Sequence, residues 1–308
     1  MYMRLGGKTL YFAALLAAAA PAAVSPLLEP PPGLLNFMTG DVRINGVAVA
    51  PIRAGQITLG TGETLETGSG MAELLLTPGS FLRVGARSKV MLETRAPEIL
   101  FRLTKGEALV EVLDPKARIA LEQKGIKGVL QKQGLYDFDE TRGVAAVYSG
   151  EAQFHNDGRE ILVAQGFGVR RRGFREVRID PSRRSALFLW SGVRSQELSA
   201  ESAAWVRMYP GKPAGLQGAR WWWDPWAASY TYLSASGAIA GPFGWPYYSP
   251  GYVPNYAPSH PNGDLYLYGP PVLNVPPPPA PPVSGEPGGT PRVPLTAPGE
   301  PQFPNNRF

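Results

Sequence analysis

The stretch that decides the fold is residues 60–92, GTGETLETGSGMAELLLTPGSFLRVGARSKVML. It consists of short runs rich in apolar residues, separated by turns that contain glycine. Within it, Thr77-Pro78-Gly79-Ser80 suits a type II turn, because proline fixes φ at the second position and glycine accepts a positive φ at the third. The stretch therefore predicts antiparallel strands joined by tight turns.

The same pattern extends over residues 36–180, which we interpret as one β domain. Apolar and polar residues alternate with period two, and Asn156-Asp157-Gly158 between two apolar runs is a strong hairpin signal. Strands of this kind are half-buried, with one face on a core and the other in water. Many short strands at this spacing predict an all-β sandwich or roll.

The N-terminus has the features of a secretory signal peptide over residues 1–24. Arg4 and Lys8 precede an apolar run, and Ala20-Pro21-Ala22 offers small residues for cleavage. The run is shorter than the roughly 20 residues that span a bilayer, although an uncleaved membrane anchor is the alternative. We therefore expect an exported protein, periplasmic or attached to the cell envelope, with no transmembrane helix in the mature chain.

The composition of the chain argues against thiolate metal sites and against nucleic acid as a partner. The 308 residues carry a net charge of +5 and no cysteine. Without cysteine there is no disulfide and no thiolate metal site. Because the positive excess is mild and the chain is exported, nucleic acid is not an expected partner.

Residues 181–209 are predicted to be a helical appendage, because Asp180 can cap a helix whose first residue is Pro181. Ser199 could cap a second, shorter helix. The apolar stripe expected to dock on the β domain consists of Ala186, Trp190 and Val193.

Beyond the helix, residues 219–270 are rich in aromatic residues, glycine and proline, and residues 271–308 are proline-rich. The tail is predicted to be disordered or polyproline II. The aromatic segment has three interpretations: a layer that covers the β domain, a surface for carbohydrate or protein, or a membrane-interface element. Its candidate binding residues are Trp221, Trp222, Trp223 and Trp226.

The β domain resembles a FecR domain over roughly residues 37–170. The matching motifs, in order, are GETLETG (62–68), AELLL (72–76), PGS (78–80), LRV (82–84), SKV (88–90), LTKGEALVEV (103–112), GLYDF (134–138), residues 147–154 and AQG (164–166). FecR-type regulators pass the state of an outer-membrane transporter to a cytoplasmic sigma factor. No segment here matches their sigma-binding part, so only the exported β module carries over from the resemblance, and a sigma factor is not the expected partner.

A search for catalytic groups favours a non-enzymatic protein without a cofactor. The two histidines, His155 and His260, are far apart in the chain, and no phosphate loop, dinucleotide fingerprint or nucleophile elbow is present. Asp137, Asp139 and Glu140 form an acidic cluster that could hold calcium or act as a carboxylate pair. We interpret it instead as a solvated strand face, and predict no metal site.

Seven arginines fall within residues 170–184, and four of them, Arg170, Arg171, Arg172 and Arg175, are the candidate anionic-surface site. They could bind lipid headgroups, lipopolysaccharide phosphates or an acidic partner. The alternative is a charged edge strand that blocks sheet-to-sheet association.

Together these features predict a non-enzymatic, FecR-like binding, scaffold or sensory protein of the bacterial cell envelope. Its partner is expected to be an envelope protein or a polysaccharide. The alternative function is a cell-wall or polysaccharide-binding protein that uses the aromatic segment.

Overall fold

A computed structural model describes residues 29–252, except residues 96–97, 115, 117 and 209–217. The predicted signal peptide and proline-rich tail lie outside the described residues. Seventeen strands precede the helix: β1 (Leu35–Thr39), β2 (Val42–Ile44), β3 (Val47–Ala48), β4 (Thr64–Thr67), β5 (Met71–Leu75), β6 (Ser80–Val84), β7 (Lys89–Arg95), β8 (Glu98–Lys105), β9 (Glu107–Val112), β10 (Arg118–Gln123), β11 (Ile126–Leu130), β12 (Gly134–Asp139), β13 (Val144–Ser149), β14 (Glu151–Asn156), β15 (Arg159–Ala164), β16 (Phe167–Arg170) and β17 (Arg175–Arg178).

These strands form two sheets, and the all-β prediction is confirmed. The inner sheet has eight strands in the order β1-β5-β6-β9-β12-β13-β16-β17. The outer sheet has nine strands in the order β15-β14-β11-β10-β8-β7-β4-β2-β3. From β7 onward the chain crosses from one sheet to the other after each strand or hairpin, so side chains of both sheets share one core, which includes Leu65, Leu82, Phe101, Val110 and Phe154.

Both turns that were predicted from residue types are present. Ser80 N–H donates to the Thr77 carbonyl at 2.7 Å, and the φ of Gly79 is +80°. Asp157 and Gly158 form the two-residue loop between β14 and β15, with φ of +44° and +76°. Positive φ at both positions is the geometry of a type I′ hairpin, whose twist matches that of the strands.

A third layer covers the far face of the inner sheet. It consists of α1 (Ala186–Met208) and two hairpins, β18 (Arg220–Asp224) with β19 (Ser229–Leu233) and β20 (Ala238–Ala240) with β21 (Pro246–Tyr248). Phe81 of the inner sheet packs edge-on against Trp221, with ring centroids 4.9 Å apart. Over residues 218–252 the aromatic segment is therefore a covering layer, whereas residues 253–270 lie outside the described part.

The helical segment differs from the prediction in where the helix starts and in how many helices there are. Among the described residues of the predicted segment, 181–208, there is one α-helix, which begins at Ala186, and Ser185 caps it by accepting the N–H of Phe188 at 3.0 Å. Pro181 lies in the preceding turn. Ser199 starts no second helix, because its hydroxyl donates to the Pro246 carbonyl at 2.6 Å while the backbone stays helical. Within the described residues, no helix is long and apolar enough to cross a bilayer.

The docked face of α1 matches the predicted stripe only in part. Trp190 is half-buried, with its ring centroid 6.4 Å from that of Phe37, whereas Ala186 and Val193 are exposed. The buried positions combine four large apolar residues with five that are small or polar; they are Leu187, Ser191, Arg194, Ser195, Leu198, Ser199, Ser202, Trp205 and Val206. An apolar stripe is the expected docking face only when the opposing surface is apolar. Here the opposing surface is charged, so small and polar side chains face it.

That charged surface is a buried ionic network centred on Arg83. Its guanidinium lies 2.8 Å from Glu73 and 2.7 Å from Glu111, and all three side chains are fully buried. Arg194 of α1 reaches Glu73 at 3.1 Å, and the Ser195 hydroxyl donates to Glu111. Strands β5, β6 and β9 are thus joined to the helix by charge-assisted hydrogen bonds.

The same network holds the first hairpin of the covering layer. The Asn36 amide donates to Glu73 at 2.9 Å and to the Tyr230 carbonyl at 2.9 Å, and its oxygen accepts the Tyr230 N–H at 2.7 Å. The Tyr247 hydroxyl donates to the Ser195 carbonyl at 3.2 Å, which ties in the second hairpin. The helix and both hairpins of the covering layer are therefore each held by hydrogen bonds to the ionic network or to residues next to it.

The protonation behaviour of the network follows from its geometry. Burial alone raises the pKa of Glu73, but the charges of Arg194 and Arg83 outweigh it and lower that pKa below its usual range. Burial raises the pKa of Glu111, and Arg83 offsets this only in part. Glu111 is consequently the carboxylate that depends most on Arg83.

Gly70, in the stretch that decides the fold, offers a test of the β1–β5 contact. A Cβ there would lie 1.8 Å from the Thr39 carbonyl oxygen, and backbone cannot move aside as a side chain can. We expect Gly70→Ala to lower the free energy of unfolding by about 2–3 kcal/mol, measured by urea denaturation. Gly60→Ala is the control, because a Cβ there would have a side-chain oxygen of Glu63, and not backbone, as its nearest neighbour, at 3.2 Å. Equal losses for the two variants would contradict this packing.

Candidate binding groove

A groove of about 170 Å³ lies on the inner sheet at the β12-β13-β16-β17 end. Small and medium apolar residues, Val144, Ala146 and Val177, form part of its wall. Its charged lining residues are Asp137, Asp139, Arg142, Arg170, Arg178, Asp180 and Arg183. The groove therefore combines an apolar wall with both signs of charge.

Asp137 forms the acidic floor. It is 6% exposed, and the carboxyl group of Glu107 lies close to it. Burial raises the pKa of Asp137 well above its usual range, and the charges of Glu107 and Asp139 raise it further. The solvated-face interpretation is wrong for Asp137, because the groove wall and the start of the covering layer shield it from water.

The arginines of the rim are in three different situations. Arg142 lies 3.7 Å from Asp139, and Arg183 lies 3.3 Å from Asp180. Arg170 faces Arg175 across the β16–β17 pair, both side chains are exposed, and neither has a carboxylate within 4.0 Å among the described residues. The guanidinium of Arg178 lies 6.0 Å from the ring centre of Phe167. The rim therefore holds two cations paired with carboxylates, one cation beside an aromatic ring, and the Arg170–Arg175 pair.

The other members of the predicted arginine set have separate positions. Arg171 lies 2.7 Å from the Glu140 carboxylate, and the same carboxylate lies 3.0 Å from Lys124. Arg171 therefore stabilises the turn between β12 and β13, where Glu140 lies. Arg172 is exposed in the β16–β17 turn. Since β17 is the terminal strand of the inner sheet, Arg175 lies on an edge strand, as the alternative interpretation describes.

Two lining residues were missed by the sequence analysis. Arg142 and Tyr148 lie on the β12–β13 hairpin, distant in the chain from the arginine run, and no local motif marks them. Arg184 joins this wall to the helix start, since its guanidinium lies 4.9 Å from the Tyr148 ring centre and 4.2 Å from that of Phe188. Burial raises the pKa of Tyr148 to about 12, with Asp137 contributing.

Within the part of the chain that the structure describes, no three histidine or acidic residues are grouped to hold a metal ion. The third member of the acidic cluster, Glu140, is engaged by Arg171 and Lys124. His155 lies 3.0 Å from Glu160 on the neighbouring strand. His260 lies outside the described residues.

The four candidate tryptophans do not share one surface. Trp221 is buried against Phe81, so its assignment to a binding surface is wrong. Trp222 packs against Trp205 with ring centroids 4.9 Å apart, and Trp223 packs against Tyr230 at 5.0 Å. Trp226, in the turn between β18 and β19, is 79% exposed. Of the four, it is the one with most of its ring available to a ligand.

Comparison with known proteins yields weak structural likenesses. Two crystal structures of a candidate anti-sigma factor from Parabacteroides distasonis match with TM-scores of 0.32 and 0.33, at 11% and 10% identity. Each match covers 48% of this chain and 74% or 76% of that protein. No protein-family model matches, and no curated protein matches the sequence. The FecR resemblance therefore stays a prediction from the motifs.

Proposed function

We propose that this protein is a non-enzymatic binding, scaffold or sensory protein, exported to the bacterial cell envelope. The groove is the observation that carries the proposal. It lies on a sheet that is buttressed on both faces, and its rim presents arginines to solvent. The N-terminal residues, with their positive and apolar regions, support export.

The distribution of polar groups supports binding at this place. Under the covering layer, Arg83, Glu73, Glu111 and Arg194 are bound to one another in the buried ionic network, which holds the layer on the sheet. At the groove, by contrast, Arg170 and Arg175 point to solvent without a carboxylate partner among the described residues. Arginine is well suited to hold an anionic group, because its planar guanidinium offers paired donors.

Cell fractionation combined with site-specific photo-crosslinking tests this function. We expect the mature protein in the envelope fraction, and crosslinks to an envelope component from a photoreactive residue at Arg172, beside the rim. The control position is Val47, which is 71% exposed on β3 at the far edge of the outer sheet. Recovery in the cytoplasm contradicts export, and equal crosslinking from both positions contradicts the groove.

A second candidate function, binding of cell-wall polysaccharide, is favoured by Trp226. An exposed indole in a hairpin turn can stack on a sugar ring. If this function is correct, Trp226→Ala should weaken retention on peptidoglycan about three- to tenfold in a pull-down assay. Ile52→Ala is the matched control, since Ile52 is also exposed but aliphatic. Unchanged retention of the Trp226 variant rules out this surface.

A further inference from the structure

The β16–β17 pair places two positive charges directly opposite each other, which is unfavourable unless an anion lies between them. Arg170 and Arg175 are direct cross-strand neighbours, and like charges in that position destabilise a sheet. The same hairpin contains one acidic residue, Glu176, but Glu176 pairs with Val169 and so points to the opposite face. An anion bound between the two guanidinium groups removes this repulsion.

The lining of the groove favours an anion as well. Asp139 and Asp180 are engaged by Arg142 and Arg183. Asp137 is buried beside the carboxyl group of Glu107, and burial together with the charges of Glu107 and Asp139 raises its pKa, which disfavours its charged form. Arg170 remains as the lining cation that has no carboxylate within 4.0 Å and no aromatic ring beneath it in the described structure.

The size of the groove limits the ligand. A volume of about 170 Å³ is below the roughly 300–1,000 Å³ of sites that enclose a whole small molecule. A groove of this volume can hold one charged group of a ligand, while the rest of the ligand lies outside the groove. We propose that the groove binds the phosphate group of an anionic ligand, with Arg170 as the principal contact and Arg175 beside it. This rests on the proposed binding function and names its ligand chemistry.

Thermal denaturation of the full mature chain in inorganic phosphate tests the assignment, with chloride keeping the ionic strength constant. For a Kd near 1 mM, about 10 mM phosphate is expected to raise the Tm by about 3 °C. Arg170→Gln should abolish this shift. Because Arg170 is exposed, this variant is expected to fold with an unchanged or slightly higher Tm in chloride alone.

Arg43→Gln is the control, because it removes the same charge from an exposed arginine on β2 of the outer sheet. It should keep the full phosphate shift. No phosphate shift in the unmodified protein, or equal loss of the shift in both variants, overturns the proposal. Neither result would affect crosslinking from position 172. A failure of the phosphate assignment can therefore be distinguished from a failure of the proposed binding function.

Two further ligands separate the sources of the phosphate group. Glycerol phosphate represents a soluble ester, and vesicles of phosphatidylglycerol in phosphatidylcholine represent a lipid surface. Flotation with the phosphatidylglycerol vesicles but not with phosphatidylcholine alone, lost in Arg170→Gln, assigns a lipid headgroup. A Tm shift with glycerol phosphate and no flotation assigns a soluble ligand. Flotation that Arg170→Gln leaves unchanged counts against the groove.

Discussion

Replacing Arg83 by methionine is expected to lower the free energy of unfolding by about 3–5 kcal/mol. Methionine fills a similar volume but removes the charge between Glu73 and Glu111, which are both fully buried. Glu73 keeps Arg194, whereas Glu111 keeps only the hydrogen bond from Ser195. The loss should therefore arise mainly at Glu111, since an unpaired buried charge is costly.

Urea denaturation of three variants measures this effect. Lys89→Met is the control, because Lys89 pairs with Glu66 on the outer sheet, where both side chains are exposed by 40% or more. An exposed pair of this kind contributes about 0–1 kcal/mol. Adding Glu111→Gln to Arg83→Met should recover about 1–2 kcal/mol, because an amide carries no charge to bury. A loss at Arg83 no greater than at Lys89, or no recovery in the double variant, contradicts the network.

Stability is expected to fall as the pH rises from about 4.5 to about 8, with Glu201 as a main cause. Burial raises the pKa of this helix carboxyl from 4.5 to about 8, Arg194 opposes the rise, and Asp224 adds to it. The folded protein then holds a proton that the unfolded chain has released over this interval, so stability declines with pH. At about 1.4 kcal/mol per pKa unit, the decline attributable to Glu201 is at most ~5 kcal/mol.

Glu201→Gln isolates this contribution. The amide can still accept the hydrogen bond from the Ser229 hydroxyl, which lies 3.3 Å from both carboxylate oxygens, and it has no proton to lose. We expect the variant to match the original protein near pH 4.5 and to exceed it in stability at pH 8.5, by urea denaturation across the range. Glu66→Gln, which makes the same substitution at an exposed carboxylate, is the matched control. An identical slope for Glu201→Gln would falsify the assignment.

The candidate groove was predictable only in part. The arginine run indicated the β16–β17 region, and alternation placed Asp137 and Asp139 on one face of β12, as the structure has them. Arg142 and Tyr148 were not predicted, because they reach the groove through strand pairing and not through proximity in the chain. Nor could the run itself show that Arg171 is bound by Glu140 while Arg170 has no carboxylate partner in the described structure.

One feature of the sequence does indicate the buried ionic network, although period-two alternation alone does not reveal it. In β5, β6 and β9, MAELL, SFLRV and EALVEV, the charged residues are flanked by apolar residues on both faces of the strand. Near-continuous apolar runs are typical of strands that are buried on both sides. Because apolar residues flank them on both faces, Glu73, Arg83 and Glu111 indicate a covered face of the sheet, although they do not indicate which element covers it.

The sequence by itself determined the strands, their turns and the face on which each side chain lies, because these depend on residues within a few positions of one another. The pair of Lys89 with Glu66 and the pair of Arg83 with Glu73 both arise from outward-facing positions on adjacent strands. One pair is exposed and the other is fully buried. Only the tertiary structure decided this difference, because water is excluded from the inner sheet by a helix and two hairpins far downstream. Period-two alternation records which residues share a face, whereas the medium that the face meets depends on contacts distant in the chain.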